Sequence, residues 1–195
     1  MRTEELRARL TVALSRRPRL ALDQSDLVSA AVLVPITDHG GPHLLFTKKT
    51  AAVPHHQGQF SFPGGVVETR DASRVETALR EAWEEIRLPA EAVEVLGLLD
   101  DTPTRATQFI ITPVVGLIRE PVAFTPDGRE IERVIQVPLD VLRDPAIFST
   151  EVWVRDGEPH PVHFYRVSAD DVIWGATARI LKQFLDLLDE VGGEP

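Results

Sequence analysis

The sequence predicts an α/β fold, a mixed β-sheet sandwiched between helices. Three observations carry this. Apolar, β-branched runs of strand length recur along the chain, at 29–36, 107–118 and 134–137. Amphipathic segments with helical period open and close it, at 3–16 and 169–190. Between the strands lies a further helix, near 73–88, apolar on one face and carboxylate-rich on the other. Strands and helices interleaved in this way cover both faces of a sheet. At 195 residues the chain is one ordinary domain. Residues 25–190 form it, with an N-terminal helical addition over 1–24 and a flexible tail over 191–195.

In the first helix Leu6, Leu10 and Leu14 share a face. Arg17-Pro18-Arg19 ends it, because the residue before a proline is pushed out of helical geometry. Arg16, Arg17 and Arg19 read either as a solvated helix end or as contacts to an anion. Asp38-His39-Gly40-Gly41-Pro42 turns the buried strand 29–36 into a partner at 43–47. After the carboxylate helix come a helical turn at 89–93, a strand at 94–99 and a loop at 100–104. Asp100 and Asp101 in that loop either face the site or simply form the turn. Pro113 marks an edge or a bulge within 107–118, since proline cannot donate to a ladder. Pro126-Asp127-Gly128 is a turn, and Asp156-Gly157 joins 151–155 to 161–167 as a hairpin. Ser168 and Asp171 are expected to cap the last helix. Its Ile173, Ala176, Ile180, Phe184 and Leu187 face the core.

Composition excludes several functions. The formal net charge of −9 argues against a general nucleic-acid binder, which needs cationic contacts to phosphate. It leaves a small phosphate ester open, because bound metal ions supply positive charge locally. No apolar run approaches the roughly 20 residues of a membrane helix, and the amphipathic start lacks a signal core. Cysteine is absent, so there are no disulfides and no thiolate metal sites. A cytoplasmic location is expected.

The chemistry concentrates between His55 and Leu88. Glu81 and Glu85 are four apart on one helical face, with Glu84 beside them. Val75, Leu79, Ala82 and Ile86 form the opposite, buried stripe. Like charges at this spacing cost a few tenths of a kcal/mol per pair. Either the face is merely solvated, or a divalent cation turns that cost into a gain. Ser73 with Glu76 fits a capping box, and Phe62-Pro63-Gly64-Gly65 forms the turn before the helix.

Gly65, Asp71, Arg80, Glu81, Ala82, Glu84, Glu85 and Leu88 follow one another nearly as in G-x5-E-x7-R-E-U-x-E-E-x-G-U, with U aliphatic. The chain thus resembles the Nudix hydrolases. It departs from them in Asp71 for Glu, in one inserted residue before Arg80, and in Arg87 for Gly. The preceding LLFTKKTAAVPHHQGQFSFPGG is similar to the LLTxRS…R…G…FPGG segment of the coenzyme A diphosphatase branch. Lys49 stands at its first Arg position and Pro54 at its second. Trp174-Gly175-Ala176-Thr177-Ala178 resembles the WGxTA segment of the same branch.

The resemblance implies a Nudix-type α/β/α sandwich and a Mg2+ (or Mn2+) cofactor. It implies Glu81 and Glu85 as principal metal ligands, Glu84 as ligand or base, and the Gly65 carbonyl as a further ligand. Glu130 matches an acidic position that supplies another ligand or base, with Glu132 as the fallback. Gly64, Asp71 and Arg80 are structural, Asp71 pairing with Arg80. Arg87 takes a left-handed cap less cheaply than Gly, so Pro89 is expected to stop the helix. Substrate contacts fall to Lys49, His55, Gly58, Gln59, Phe62 and Trp174. Trp174, with Tyr165, reads alternatively as a core aromatic. His56 neighbours His55 and reads the same way, as a phosphate contact or an exposed loop residue. Lys48, Lys49, His55 and Arg70 are the cations available to replace the Arg missing at Pro54.

The implied substrate is coenzyme A or a derivative. Another nucleoside diphosphate derivative, such as ADP-ribose, NADH or a dinucleoside polyphosphate, is the alternative. A non-catalytic nucleotide-binding module is a third reading. No nucleic acid or membrane is expected as partner; a homodimer is possible.

Overall fold

β1 is buried along most of its length and apolar towards both sides, which suits a strand covered on both faces. In chain order the elements of this computed structural model are α1 (Thr3–Arg16), β1 (Val28–Asp38), β2 (Pro42–Lys49), β3 (Phe60–Ser61), β4 (Gly64–Val66), α2 (Arg74–Ile86), β5 (Val93–Leu98), β6 (Thr102–Thr104), β7 (Phe109–Ile118), β8 (Ile131–Pro138), α3 (Leu139–Leu142), β9 (Phe148–Arg155), β10 (Glu158–Arg166), β11 (Val172–Trp174) and α4 (Gly175–Gly192). The structure describes residues 1–23, 26–51, 58–104, 108–119, 121–155 and 157–192.

β1 runs parallel to β7, while β1–β2, β2–β8 and β5–β7 are antiparallel, so the main sheet is mixed. Side chains alternate between its faces. Val34, Ile36, Leu44 and Phe46 meet α1 and α4 on one face. Ala31, Leu33, Leu45 and Val114 meet Ala78, Ala82 and Ile86 of α2 on the other. A small sheet, β11-β10-β9, adjoins α4. This is the predicted α/β/α sandwich. Among the described residues no helix is long and apolar enough to cross a membrane.

The sheet forks where the site lies. β1 and β2 pair only near their turn, from Ile36 opposite Leu44 to Asp38 opposite Pro42. Beyond it β3 pairs with β2 and β4 with β1. The Phe62-Pro63-Gly64-Gly65 turn fills the gap between them, and the Leu33 N–H donates to the Pro63 carbonyl at 2.8 Å. Gly65 thereby stands opposite Ala31, in reach of α2.

Several expectations change. The last helix begins at Gly175, not near 169, because 172–174 pair with β10. Ser168 Oγ instead accepts the Asp171 N–H in a turn. Residues 102–104 are a strand on β7, not a loop. Asp100 pairs with Arg17, and Asp101 with Arg19, so these four side chains tie the chain after α1 to the sheet. Arg17 and Arg19 are therefore engaged in ion pairs, while Arg16 is exposed at the helix end as one of the two readings had it. Of the two readings of Pro113, edge or bulge, the second holds: it lies in a central strand, where 99–101 stand against 112–113. Its carbonyl accepts from Leu99 N–H, so its own nitrogen faces the place where β6 gives way to β5 and no donor is missed.

α2 starts as predicted on Ser73, whose Oγ accepts the Glu76 N–H at 3.2 Å. The Glu76 carboxylate reaches back to the Ala72 N–H, one residue earlier than in a standard capping box. At its other end Arg87 does take the left-handed conformation, φ 59° and ψ 35°, in place of the expected stop at Pro89. Its N–H donates to the Ala82 and Trp83 carbonyls, and its guanidinium lies 5.5 Å from the Trp83 ring centre. A side chain held there costs roughly 1 kcal/mol. Arg87→Gly is expected to raise the unfolding free energy by about that amount. Denaturant titration checks this; a loss of stability would show that the Trp83 contact outweighs the backbone cost.

Candidate active site

α2 brings Glu81, Glu84 and Glu85 to the fork, and the helix period separates their surroundings. Glu85 faces inward and is only 5% exposed. Burial pushes its carboxyl up to about 8; Glu81 and Glu130 add to this, and Lys49 and the Gly64 N–H oppose it. Glu81, partly buried, is also raised by burial, against the pull of Arg80. Glu84 lies further out, with Arg70 Nη2 at 3.1 Å and Arg80 Nη1 at 3.3 Å.

Glu130 comes from the other side. Asp127 accepts the N–H groups of Arg129, Glu130 and Ile131, which shapes the turn before β8. The Asp127 N–H donates to the Glu85 carbonyl, and the Thr50 N–H to the Glu130 carbonyl. Lys49 Nζ lies 3.7 Å from Glu85 and 3.8 Å from Glu130, so Glu130 rather than Glu132 meets the site. Lys49, expected at the substrate, instead spans two of the expected metal-site carboxylates.

The bracket beneath is built on Arg80. It holds Asp71 through Nε at 3.0 Å and Nη2 at 3.1 Å, donates to the Val66 carbonyl, and reaches Glu81 at 2.8 Å. Asp71 also accepts from Thr77 Oγ1 and the Glu68 N–H. The two glycines serve packing. A Cβ on Gly64 would collide with the Ala31 carbonyl and Val32; one on Gly65 would collide with the Glu81 carboxylate. Gly65→Ala is therefore expected to displace Glu81 and lower activity about a hundredfold, an effect the size of losing a positioning contact. A thermal melt near wild type, measured alongside, separates this from unfolding.

Other expected substrate residues are placed differently. The Phe62 ring is buried and stacked on Phe46 at 4.7 Å, so it props the turn and does not face a ligand. Trp174 stacks on Phe164 and approaches Trp153, and Tyr165 is in the core. Gly58 and Gln59 hold β2 through their backbones: the Gly58 N–H donates to the Lys49 carbonyl and the Lys49 N–H to the Gln59 carbonyl. His55, His56 and Pro54 lie outside the described residues. Of the cations expected to replace the missing Arg, Lys48 lies over the Phe60 ring and Arg70 bridges Glu68 and Glu84. The turn at Pro126-Asp127-Gly128 forms as expected; Arg70's hold on Glu84 and the use of the Asp127 carboxylate to present Glu130 have no signal in the sequence.

The donor set fits a hard divalent cation. Glu85 Oε2 is buried without a hydrogen-bond partner. Glu81, Glu85 and Glu130 repel one another, a cost that a cation relieves. No three such groups among the described residues are already gathered as a ligand set; Arg80, Arg70 and Lys49 neutralise the carboxylates instead. Glu81, Glu84, Glu85, Glu130 and the Gly65 carbonyl are the oxygens that would hold it.

Carboxylates gathered on one helix over a glycine turn, within an α/β/α sandwich, make a site for phosphate hydrolysis. The NUDIX domain model matches residues 27–156. "Uncharacterized Nudix hydrolase NudL" of Enterobacter sp. (strain 638) is 34% identical over 186 residues, covering 92% of this chain and 91% of that protein. The protein of that name from Pectobacterium atrosepticum is 40% identical over 154 residues, 79% of each chain. The solved MutT/nudix family protein from Enterococcus faecalis shares the fold with a TM-score of 0.57 at 16% identity, covering 100% of this chain and 81% of that one. The chain belongs to the Nudix hydrolase family. It is a hydrolase acting on pyrophosphate bonds, with nucleoside diphosphate derivatives as its substrate class.

Proposed function

We propose that the protein hydrolyses the diphosphate linkage of coenzyme A or its acyl derivatives with Mg2+ or Mn2+. The segment from Leu44 to Gly65, similar to that of the coenzyme A diphosphatases, carries the substrate assignment. Water adds to one phosphorus and the bridging P–O bond breaks. The products are 4′-phosphopantetheine, or its acyl form, and adenosine 3′,5′-bisphosphate. Bound there, a divalent metal would neutralise the diphosphate and lower the pKa of a water. Glu81 and Glu85 are the main ligands, and Glu84 or Glu130 takes the water's proton. Gly65 keeps the space above Glu81 open, and Asp71 with Arg80 fixes the loop beneath it.

A second reading is a different nucleoside diphosphate derivative, such as ADP-ribose, NADH or a dinucleoside polyphosphate. Lys49, engaged with Glu85 and Glu130, favours it, because it is not free to read a distant phosphate. A panel of coenzyme A, ADP-ribose, NADH and diadenosine polyphosphates with Mg2+ and Mn2+ decides. Coenzyme A is expected to give the highest kcat/KM. Intact coenzyme A beside rapid turnover of another member would establish the second reading.

A further inference from the structure

The small sheet ends in an open edge. β9 pairs with β10 alone, and β10 pairs with β11 only at 164–166. Three successive apolar residues of β9 are exposed: Val152 by 67%, Trp153 by 46% and Val154 by 74%. An open apolar edge is a template for another strand. The register with β10 shows which groups are free. Val152 lies opposite Pro161, and Val154 opposite Pro159. Proline has no N–H to give, so these are non-hydrogen-bonded pairs of the antiparallel ladder. Val152 and Val154 therefore direct their own N–H and C=O groups away from β10. The same prolines leave the far edge of β10 without donors there, so along this stretch only β9 is suited to receive a strand.

We propose that β9 pairs antiparallel with the β9 of a second copy, about a two-fold axis at Trp153. Val152 then faces the partner's Val154 in hydrogen-bonded pairs, and Trp153 faces the partner's Trp153 in a non-hydrogen-bonded pair. Glu151 faces the partner's Arg155. Charge selects this register, because of the two-fold pairings of this strand it alone sets Glu151 against Arg155. Arg155 has no ion-pair partner among the described residues, and Glu151 has only the Trp153 indole N–H at 3.0 Å and Arg166 at 3.9 Å. The interface is isologous, as a closed dimer requires.

The chain lacks cysteine, so Trp153→Cys creates one thiol per molecule. Across a non-hydrogen-bonded pair the Cα atoms are about 4.5 Å apart, within disulfide range. Mild oxidation is expected to convert most of Trp153→Cys to a covalent dimer. Val152→Cys, set against Val154, should cross-link several-fold less. In sedimentation equilibrium the unmodified protein should rise with concentration from the mass of one chain towards two. Val152→Lys/Val154→Lys should stay at one chain with an unchanged melting curve, as both positions are exposed. A protein monomeric at every concentration, a dimer unaffected by the lysine pair, or cross-linking at 152 in preference to 153 would overturn the proposal.

Discussion

Glu81→Gln is expected to lower kcat by about a thousandfold, the scale of losing an essential acid–base or charge-bearing group, while the protein stays folded. Gln keeps the size of Glu81 and an oxygen to accept from Arg80 at the 2.8 Å position. What it removes is one negative charge in a cluster that already includes Glu84, Glu85 and Glu130. In the metal-free protein that charge is unfavourable: burial and the neighbouring carboxylates both push Glu81 upward. Stability should therefore hold or increase. Glu85→Gln sharpens the contrast, since Glu85 is more deeply buried and has an oxygen without a partner. Its metal-free Tm should rise by about 2–4 °C, the shift that 1 kcal/mol gives in a chain of this size. Added Mg2+ should raise the wild-type Tm and leave both variants nearly unmoved, since only a bound ligand stabilises by linkage. Turnover of Glu81→Gln within tenfold of wild type would remove Glu81 from the mechanism. A Mg2+ response unchanged in both variants would remove the carboxylates from the metal site.

The sandwich and the acidic helix were legible because periodicity is a local property. Leu6, Leu10 and Leu14, and Ala82 and Ile86, occupy buried stripes that the spacing alone predicts. The misread elements depend on partners distant in sequence. Residues 172–174 have the pattern of a helix start, and pairing with β10 makes them a strand. Asp100 and Asp101 look like turn residues until Arg17 and Arg19 reach them from 83 and 82 residues away. At the site, the position of Lys49 depends on Glu130, which arrives on another loop. Phe62 belongs to a motif associated with the substrate, yet its backbone course in the fork turns the ring into the core. Arg87 shows the opposite error: a propensity rule counted against a conformation that two backbone carbonyls and Trp83 secure.

Restoring the residue that the family pattern carries at position 71 is expected to harm this chain. Asp71 is 4% exposed at its side chain and Arg80 13%. Its carboxylate is fully engaged by the Arg80 fork, the Thr77 hydroxyl and the Glu68 N–H. These donors hold it well below the usual carboxylate range, Arg80 contributing most. The loop has one residue more than the pattern, and within it the shorter Asp71 side chain reaches the Arg80 fork. A further methylene in Asp71→Glu should cost about 1–3 kcal/mol by overpacking. Asp71→Ala should cost about 3 kcal/mol, because it leaves a nearly buried guanidinium without its main partner. The acid limb gives an independent check. A depressed folded-state pKa stabilises above the unfolded value of 3.8, and that contribution is lost as pH falls below it. Wild-type stability should therefore decline below about pH 4 more steeply than that of Asp71→Asn, which has no such proton to take up. Denaturant midpoints at pH 7 and pH 3 measure both effects. A more stable Asp71→Glu protein would mean that the inserted residue does not compensate for the shorter side chain.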